Sequence, residues 1–324
     1  MKVNDVKIST TKPQSAQLSE TATQALTLPV AERLKTPHKR LPSWFKARPR
    51  MSAEFNRVDS SLKSAGLHSV CQEASCPNIW ECFNEGTATF MILGDKCTRG
   101  CNFCDVATGK PDGLDRDEPR RLAEVVGRLG LKQVVITSVA RDDLPDGGAS
   151  IFVATMRELR ACDPHIKVEF LIPDFRGNHE AIATVIESGV DVLAHNVETV
   201  QRLHRRVRGG AKLDRSLDVL RFMSSFRRRL VVKTGIMVGL GETKDEVVEV
   251  LHQIHAAGVD IVTIGQYLRP SLAHLPVECF YLPQEFEEFA QIGREIGLAH
   301  VEAGPLVRSS YRAFHQSQSL LGKA

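Results

Sequence analysis

The chain has 324 residues, 42% hydrophobic and 25% charged, ordinary for a soluble globular protein and enough for one large domain or two small ones. A net charge of +3 is too small to imply a nucleic-acid partner by itself. No apolar run approaches the roughly 20 residues a membrane helix needs, and no secretory signal pattern opens the sequence, so membrane-spanning and secreted classes are set aside.

Charge is unevenly placed. Residues 1–50 carry ten Lys and Arg against three acids, an excess of seven that leaves the rest of the chain at −4. Residues 1–45 are rich in Ser, Thr, Pro and Gln without a sustained apolar period, and read as a basic arm, disordered or wrapped on the body. Lys dominates its first half and Asp5 and Glu20 interrupt it, which argues against a mitochondrial transit peptide. Trp44 and Phe45 read as the anchor of this arm, with partner docking as a second use.

Six of the eight cysteines then fall between residues 71 and 104. Cys71, Cys76 and Cys82 form C-x4-C-x5-C, and Cys97, Cys101 and Cys104 form C-x3-C-x2-C. A four-iron, four-sulfur cube needs four thiolates to be closed, so a triplet leaves one iron open to another ligand. Two triplets predict two such clusters in a catalytic arrangement. Disulfide scaffolds are usually short and secreted. Structural zinc knots favour paired C-x2-C units or histidines, and no histidine lies between Cys71 and Cys104. A ferredoxin-type carrier would want a fourth cysteine and a smaller body. Free thiols acting as metal ligands fit a reducing cytoplasm. Cys162 and Cys279 lie outside both triplets and read as packing thiols.

Strand-like apolar runs recur at 88–93, 133–137, 168–172, 190–194, 230–237 and 260–265. Helical spacing fills 120–129, 151–159, 179–187, 213–226, 244–256 and 284–296, followed by a short apolar run at 299–301. Such alternation predicts a parallel sheet covered by helices. No G-x-G-x-x-G follows the first strand, which disfavours an open dinucleotide fold and leaves a partial barrel. In βα barrels, reactive groups sit on loops after the strands. There the chain places the second triplet, 138–143 (SVARDD), 174–176, 195–199 (HNVET), 239–242 and 267–271.

A C-x3-C-x-aromatic-C after the first strand, with Phe103 as the aromatic, resembles the radical S-adenosylmethionine superfamily. The resemblance narrows through 71–82 (CQEASCPNIWEC), 135–149 (VITSVARDDLPDGGA), HNVET, 233–242 (KTGIMVGLGE) and 308–313 (RSSYRA). Together these are similar to the lipoyl synthase family over roughly residues 40–315. That resemblance implies a partial (β/α)6 TIM-type barrel over 87–305, with extensions covering its mouth. Residues 46–86 carry the auxiliary cluster motif and 306–324 carry RSSY.

It implies that Cys97, Cys101 and Cys104 bind the cluster that cleaves S-adenosylmethionine. Cys71, Cys76 and Cys82 would hold the auxiliary cluster that supplies sulfur, with Ser310 in preference to Ser309 on its fourth iron. Against this, a Ser opening the stretch 311–318 is often a helix N-cap. The activity implied is sulfur insertion at C6 and C8 of octanoyl-lysine. Implied partners are octanoylated carrier domains (2-oxoacid dehydrogenase E2 subunits and the glycine cleavage H protein), an electron donor such as flavodoxin or ferredoxin, and cluster assembly proteins. The GGE-like amino-group motif of many superfamily members is missing after the second strand. Thr137, Ser138, Arg141, Asn196 and Glu198 are therefore candidates for cofactor contacts by position, beside Phe103. Another radical S-adenosylmethionine sulfur inserter or maturase, and an iron–sulfur carrier or scaffold, are the competing readings.

Overall fold

The computed structural model describes residues 34–35, 41–45, 51–226 and 230–321; the basic arm predicted over 1–45 lies mostly outside the described residues. At the arm's end, β1 (Leu34–Lys35) pairs antiparallel with Cys279–Phe280. Phe45, in a short helical turn, is buried against Phe280 at a ring separation of 5.4 Å.

α1 (Ala53–Ser64) begins where the Ser52 hydroxyl accepts from the Phe55 N–H, satisfying one of the amides a helix start leaves free. Its buried face is Phe55, Val58 and Leu62, and Phe55 stacks on Trp80 at 5.0 Å. β2 (His68–Ser69), α2 (Val70–Glu73) and α3 (Ile79–Asn84) carry the first triplet.

From there strands and helices alternate: β3 (Thr89–Ile92), α4 (Glu118–Leu129), β4 (Gln133–Ser138), α5 (Ala149–Cys162), β5 (Lys167–Leu171) and α6 (His179–Glu187). They continue with β6 (Val192–Ala194), α7 (His204–Val207), α8 (Leu213–Ser224), β7 (Val231–Val238), α9 (Lys244–Ala256) and β8 (Ile261–Gln266). β9 (Cys279–Phe280), α10 (Pro283–Ile296), β10 (His300–Gly304) and α11 (Ala313–Leu321) complete the chain. Local chemistry sets the helix ends. Thr243 and Glu246 form a reciprocal capping box on α9, and Pro119 sits in the first turn of α4, which ends on left-handed Gly130.

The sheet runs β10-β8-β7-β6-β5-β4-β3-β2 and is not closed. All neighbours pair in parallel except β2, which is antiparallel to β3. The six predicted strands form its centre, and the 299–301 run extends into a seventh parallel strand, β10. β3 and β8 are buried at every position, as strands covered on both faces must be. Among the described residues, no helix is long and apolar enough to cross a membrane. Cys279 is buried; Cys162, expected as a packing thiol, is exposed at the end of α5.

The inner face of the sheet is filled by the C-terminal segment. A Cβ on Gly265 would collide with the Val307 carbonyl, and one on Gly235 would lie 2.9 Å from the Ser309 hydroxyl. Farther on, Leu320 and Leu321 of α11 pack against Val192, Val231 and Ile261. Asn78 in the cysteine hairpin donates to the Leu306 carbonyl at 2.6 Å. The N- and C-terminal extensions therefore meet where the open sheet leaves its edges apart, one attached beside β2 and the other leaving β10.

Candidate radical and auxiliary cluster sites

The second triplet lies on the loop after β3, gripped by the loops that follow β4, β6 and β8. Thr98 donates twice to the Ala140 carbonyl, through its N–H at 3.0 Å and its hydroxyl at 2.9 Å. The Asn102 N–H donates to the Val207 carbonyl at 3.0 Å, the Leu275 N–H donates to the Asn102 carbonyl, and the His274 ring meets the Cys104 carbonyl at 3.1 Å. Arg99, between Cys97 and Cys101, makes a bidentate pair with Asp142 at 2.7 Å and reaches buried Asp174 at 2.6 Å. Burial opposes ionisation of Asp174, but the Arg99 charge and hydrogen bond, the His195 ring and the Arg176 N–H together outweigh it and hold the carboxyl at about 2.

The sulfur of Cys97 accepts from the N–H groups of Arg99 and Ala140 at 3.4 and 3.3 Å. Burial pushes the Cys104 thiol up to about 12 and raises Cys101, the latter opposed by Arg208. In the first triplet, burial and the neighbouring sulfurs push Cys71 to about 11 and Cys82 to about 12. Clustered thiols that resist ionisation alone suit a cationic iron centre, which supplies the missing positive charge. Among the described residues no three His, Cys, Asp or Glu converge as for a single ion. Each triplet supplies three thiols, the donor number that leaves one iron of a four-iron cube open.

Elsewhere in the first triplet, Thr89 of β3 hydrogen bonds to Cys71 through its backbone and its hydroxyl. Arg308 lies within electrostatic reach of Cys76 and Tyr311 within reach of Cys82, and the Tyr311 hydroxyl donates to Glu81 at 2.9 Å. Between these two, the Ser309 hydroxyl is committed to Asn196, accepting at 2.7 Å and donating at 3.0 Å. Ser310 lies three positions before the start of α11 and makes no side-chain hydrogen bond among the described residues. The two cysteine loops touch through Ser75, which donates to Asp105 at 2.5 Å.

The positional candidates divide. Thr137 spends its hydroxyl on the Leu171 carbonyl at 3.0 Å, stitching β4 to β5. Arg141 is folded back on Asp143 and the Leu93 carbonyl. Ser138 has a buried hydroxyl oxygen without a hydrogen-bond partner among the described residues. Asn196 and Glu198 bond to each other beside Arg208, burial raises Glu198, and its backbone is held at φ 73°. A non-glycine in that region is strained and must be held by its surroundings. Phe103 packs half-buried on the core. Sequence reading missed Arg99, Arg208 and Arg308. Only the polar partners of Arg99 stood out, as rim residues. A cavity of about 200 Å³ lined by Gly94, Lys96, Asp112 and Arg121 lies behind the second triplet and contains none of the cysteines.

Residues 91–254 match the radical SAM superfamily, and residues 11–76 match the N-terminal domain of lipoyl synthase of the radical SAM family. A lipoyl synthase of Symbiobacterium thermophilum is 53% identical over 297 residues, covering 91% of this chain and 93% of its own. One from Rubrobacter xylanophilus is 51% identical over 277 residues, 86% of each chain. The fold is similar to the crystal structure of methylornithine synthase, with a TM-score of 0.51 at 14% identity over 81% of this chain and 82% of that one. With half of each relative's residues shared over nearly its whole length, and the superfamily match spanning the strands that carry the second triplet, the chain belongs to the lipoyl synthase family of radical S-adenosylmethionine proteins.

Proposed function

We propose that this protein inserts sulfur at C6 and C8 of an octanoyl chain borne on a lysine of a lipoyl carrier domain. Cys97, Cys101 and Cys104 would hold one cluster, leaving an iron for S-adenosylmethionine. Cys71, Cys76, Cys82 and Ser310 would hold a second. When bound, the first supplies reductive cleavage to a 5′-deoxyadenosyl radical and the second supplies sulfur. The observation that carries the reading is the meeting of the first triplet with residues 308–312. Tyr311 and Arg312 bond to Glu81, the neighbour of Cys82, at 2.9 and 3.0 Å, and Ser309 is held by Asn196.

The chain's own residues orient and exclude water, since no side chain can break an aliphatic C–H bond. Arg99, Thr98 and Asn102 fix the first loop. Ser138, Asn196, Glu198 and Phe103 are the proposed contacts of S-adenosylmethionine. An eight-carbon chain offers few polar handles, so the amide of the carrier lysine anchors it and places C6 and then C8. Carrier domains, an electron donor and cluster assembly proteins are the partners this activity requires.

Anaerobic reconstitution of four variants tests the assignment. Replacing Cys97, Cys101 and Cys104 by Ala should leave iron for one cluster and abolish 5′-deoxyadenosine. Replacing Cys71, Cys76 and Cys82 should also leave one cluster, with deoxyadenosine still formed but no thiolated octanoyl product. Ser310→Ala should bleed iron from the second site where Ser309→Ala does not. Deoxyadenosine from the first variant would overturn the reading.

A further inference from the structure

The second triplet must receive an electron from outside the chain, and the surface over it has a particular charge. Residues 202–212 (RLHRRVRGGAK) contain four Arg, one Lys and no acid. This segment lies directly on the cluster loop. The Val207 carbonyl accepts from the Asn102 N–H at 3.0 Å, and the Arg206 carbonyl accepts from the Asn102 side chain at 2.7 Å. Gly210 lies over Arg99 and Gly209 approaches the Gly100 carbonyl. Arg208 turns inward to the Asn196 carbonyl. Arg205, Arg206 and Lys212 point out to solvent. Arg202 is paired with Glu246 at 2.7 Å and Arg206 with Glu278 at 3.1 Å, whereas Arg205 and Lys212 have no ion pair among the described residues. On the other side of Asn102, the loop after β8 bonds to Asn102 and Cys104 and lifts Leu272 into solvent at 88% exposure.

We propose that this basic face, centred on exposed Asn102 with Arg205 and Lys212 at its rim and Leu272 beside it, docks an acidic single-electron carrier protein. The inference rests on the radical-enzyme reading above. Two arguments select a donor over the octanoylated carrier. A donor needs only close approach to the cluster, and this face is backbone-bonded to the residues between two cluster cysteines. A carrier must instead deliver an acyl chain to the interior, and the outward side chains of 205 and 212 do not lead there. The step moves one electron from the reduced carrier, oxidised by one electron, to the cluster held by Cys97, Cys101 and Cys104; no proton or covalent bond moves. Rim charges of this kind act chiefly on association and its salt dependence.

The test compares the reconstituted wild-type enzyme with Arg205→Glu/Lys212→Glu, using oxidised flavodoxin, a small acidic flavoprotein, as the binding probe. At low salt the double variant should bind the probe about tenfold or more weakly, and wild-type binding should weaken as salt rises. Deoxyadenosine formation driven by dithionite should be equal in the two proteins. Equal flavodoxin affinity overturns the proposal, as does a parallel loss of dithionite-driven turnover. So does weakened binding of an octanoylated carrier domain with flavodoxin binding unchanged, which would give the face to the substrate protein. No deoxyadenosine from wild type with dithionite would instead sink the radical reading, and the flavodoxin titration would still report on the face.

Discussion

Arg99 shows how a charge inside a cysteine loop can serve position rather than ligation. Its fork spans Asp142 and Asp174 at 2.6–2.7 Å, with Arg215 also on Asp174 at 3.2 Å, so loops after three different strands share one cation. Arg99→Ala would leave fully buried Asp174 with the Arg176 N–H and the longer Arg215 pair, a loss of about 3–5 kcal/mol for a broken buried pair. Arg99→Lys keeps charge but not the bidentate fork, and should recover stability better than loop order. Thermal unfolding and hydrogen exchange at 97–104 in the cluster-free protein measure the two separately. Exchange in Arg99→Lys equal to wild type would remove the positioning role. Asp174 also sets an acid limit. Its folded value of about 2 lies below the unfolded value of about 3.9, so its contribution is complete above about pH 4 and is lost as pH falls through 2. Asp174→Asn should flatten that limb of an acid-unfolding curve. None of this was legible in sequence, because an Arg between two cysteines carries no spacing signal and its acids lie on later loops.

At the scale of elements, the βα rhythm was readable because β-branched buried strands and helical spacing alternate without interruption. The cysteine triplets were readable because ligand spacing is a local property. The place of the C-terminal segment was not, because nothing in RSSYRA says which face of the sheet it enters. Two glycines record that entry. At Gly235 an added Cβ meets only the ends of the Thr263, Ser309 and Asn196 side chains, which can turn; at Gly265 it meets the Val307 backbone, which cannot turn without moving the segment. Gly265→Ala should therefore displace residues 306–310, weaken the Asn78–Leu306 bond, and release iron from the first triplet while the second stays loaded. Gly113→Ala, with nothing within 4 Å of the added carbon, is the matched control. Iron content and cluster absorbance check this. Full loading of both sites in Gly265→Ala would show that the segment tolerates the shift.

Across the whole molecule, a fully buried ion pair links distant strands through the interior. Lys233 of β7 reaches Glu169 of β5 at 2.7 Å, both essentially without solvent contact, and the second carboxylate oxygen of Glu169 has no hydrogen-bond partner among the described residues. In the sequence both fall inside strand runs, and a charged residue in an apolar run reveals its partner only when the strands are assembled. Two charges removed from water regain little net stability from each other, but removing one strands the other. Lys233→Met should thus destabilise the protein by about 3–5 kcal/mol, and Glu169→Leu by a comparable amount. The double variant should recover most of that loss, because a matched apolar pair leaves no buried charge behind. A double-mutant cycle by denaturant unfolding of the cluster-free protein gives the coupling directly. Additive losses would mean that the two groups are balanced by other charges. Recovery of stability in the double variant, with both clusters still loaded, would identify the pair as a device of the fold rather than of either cysteine site.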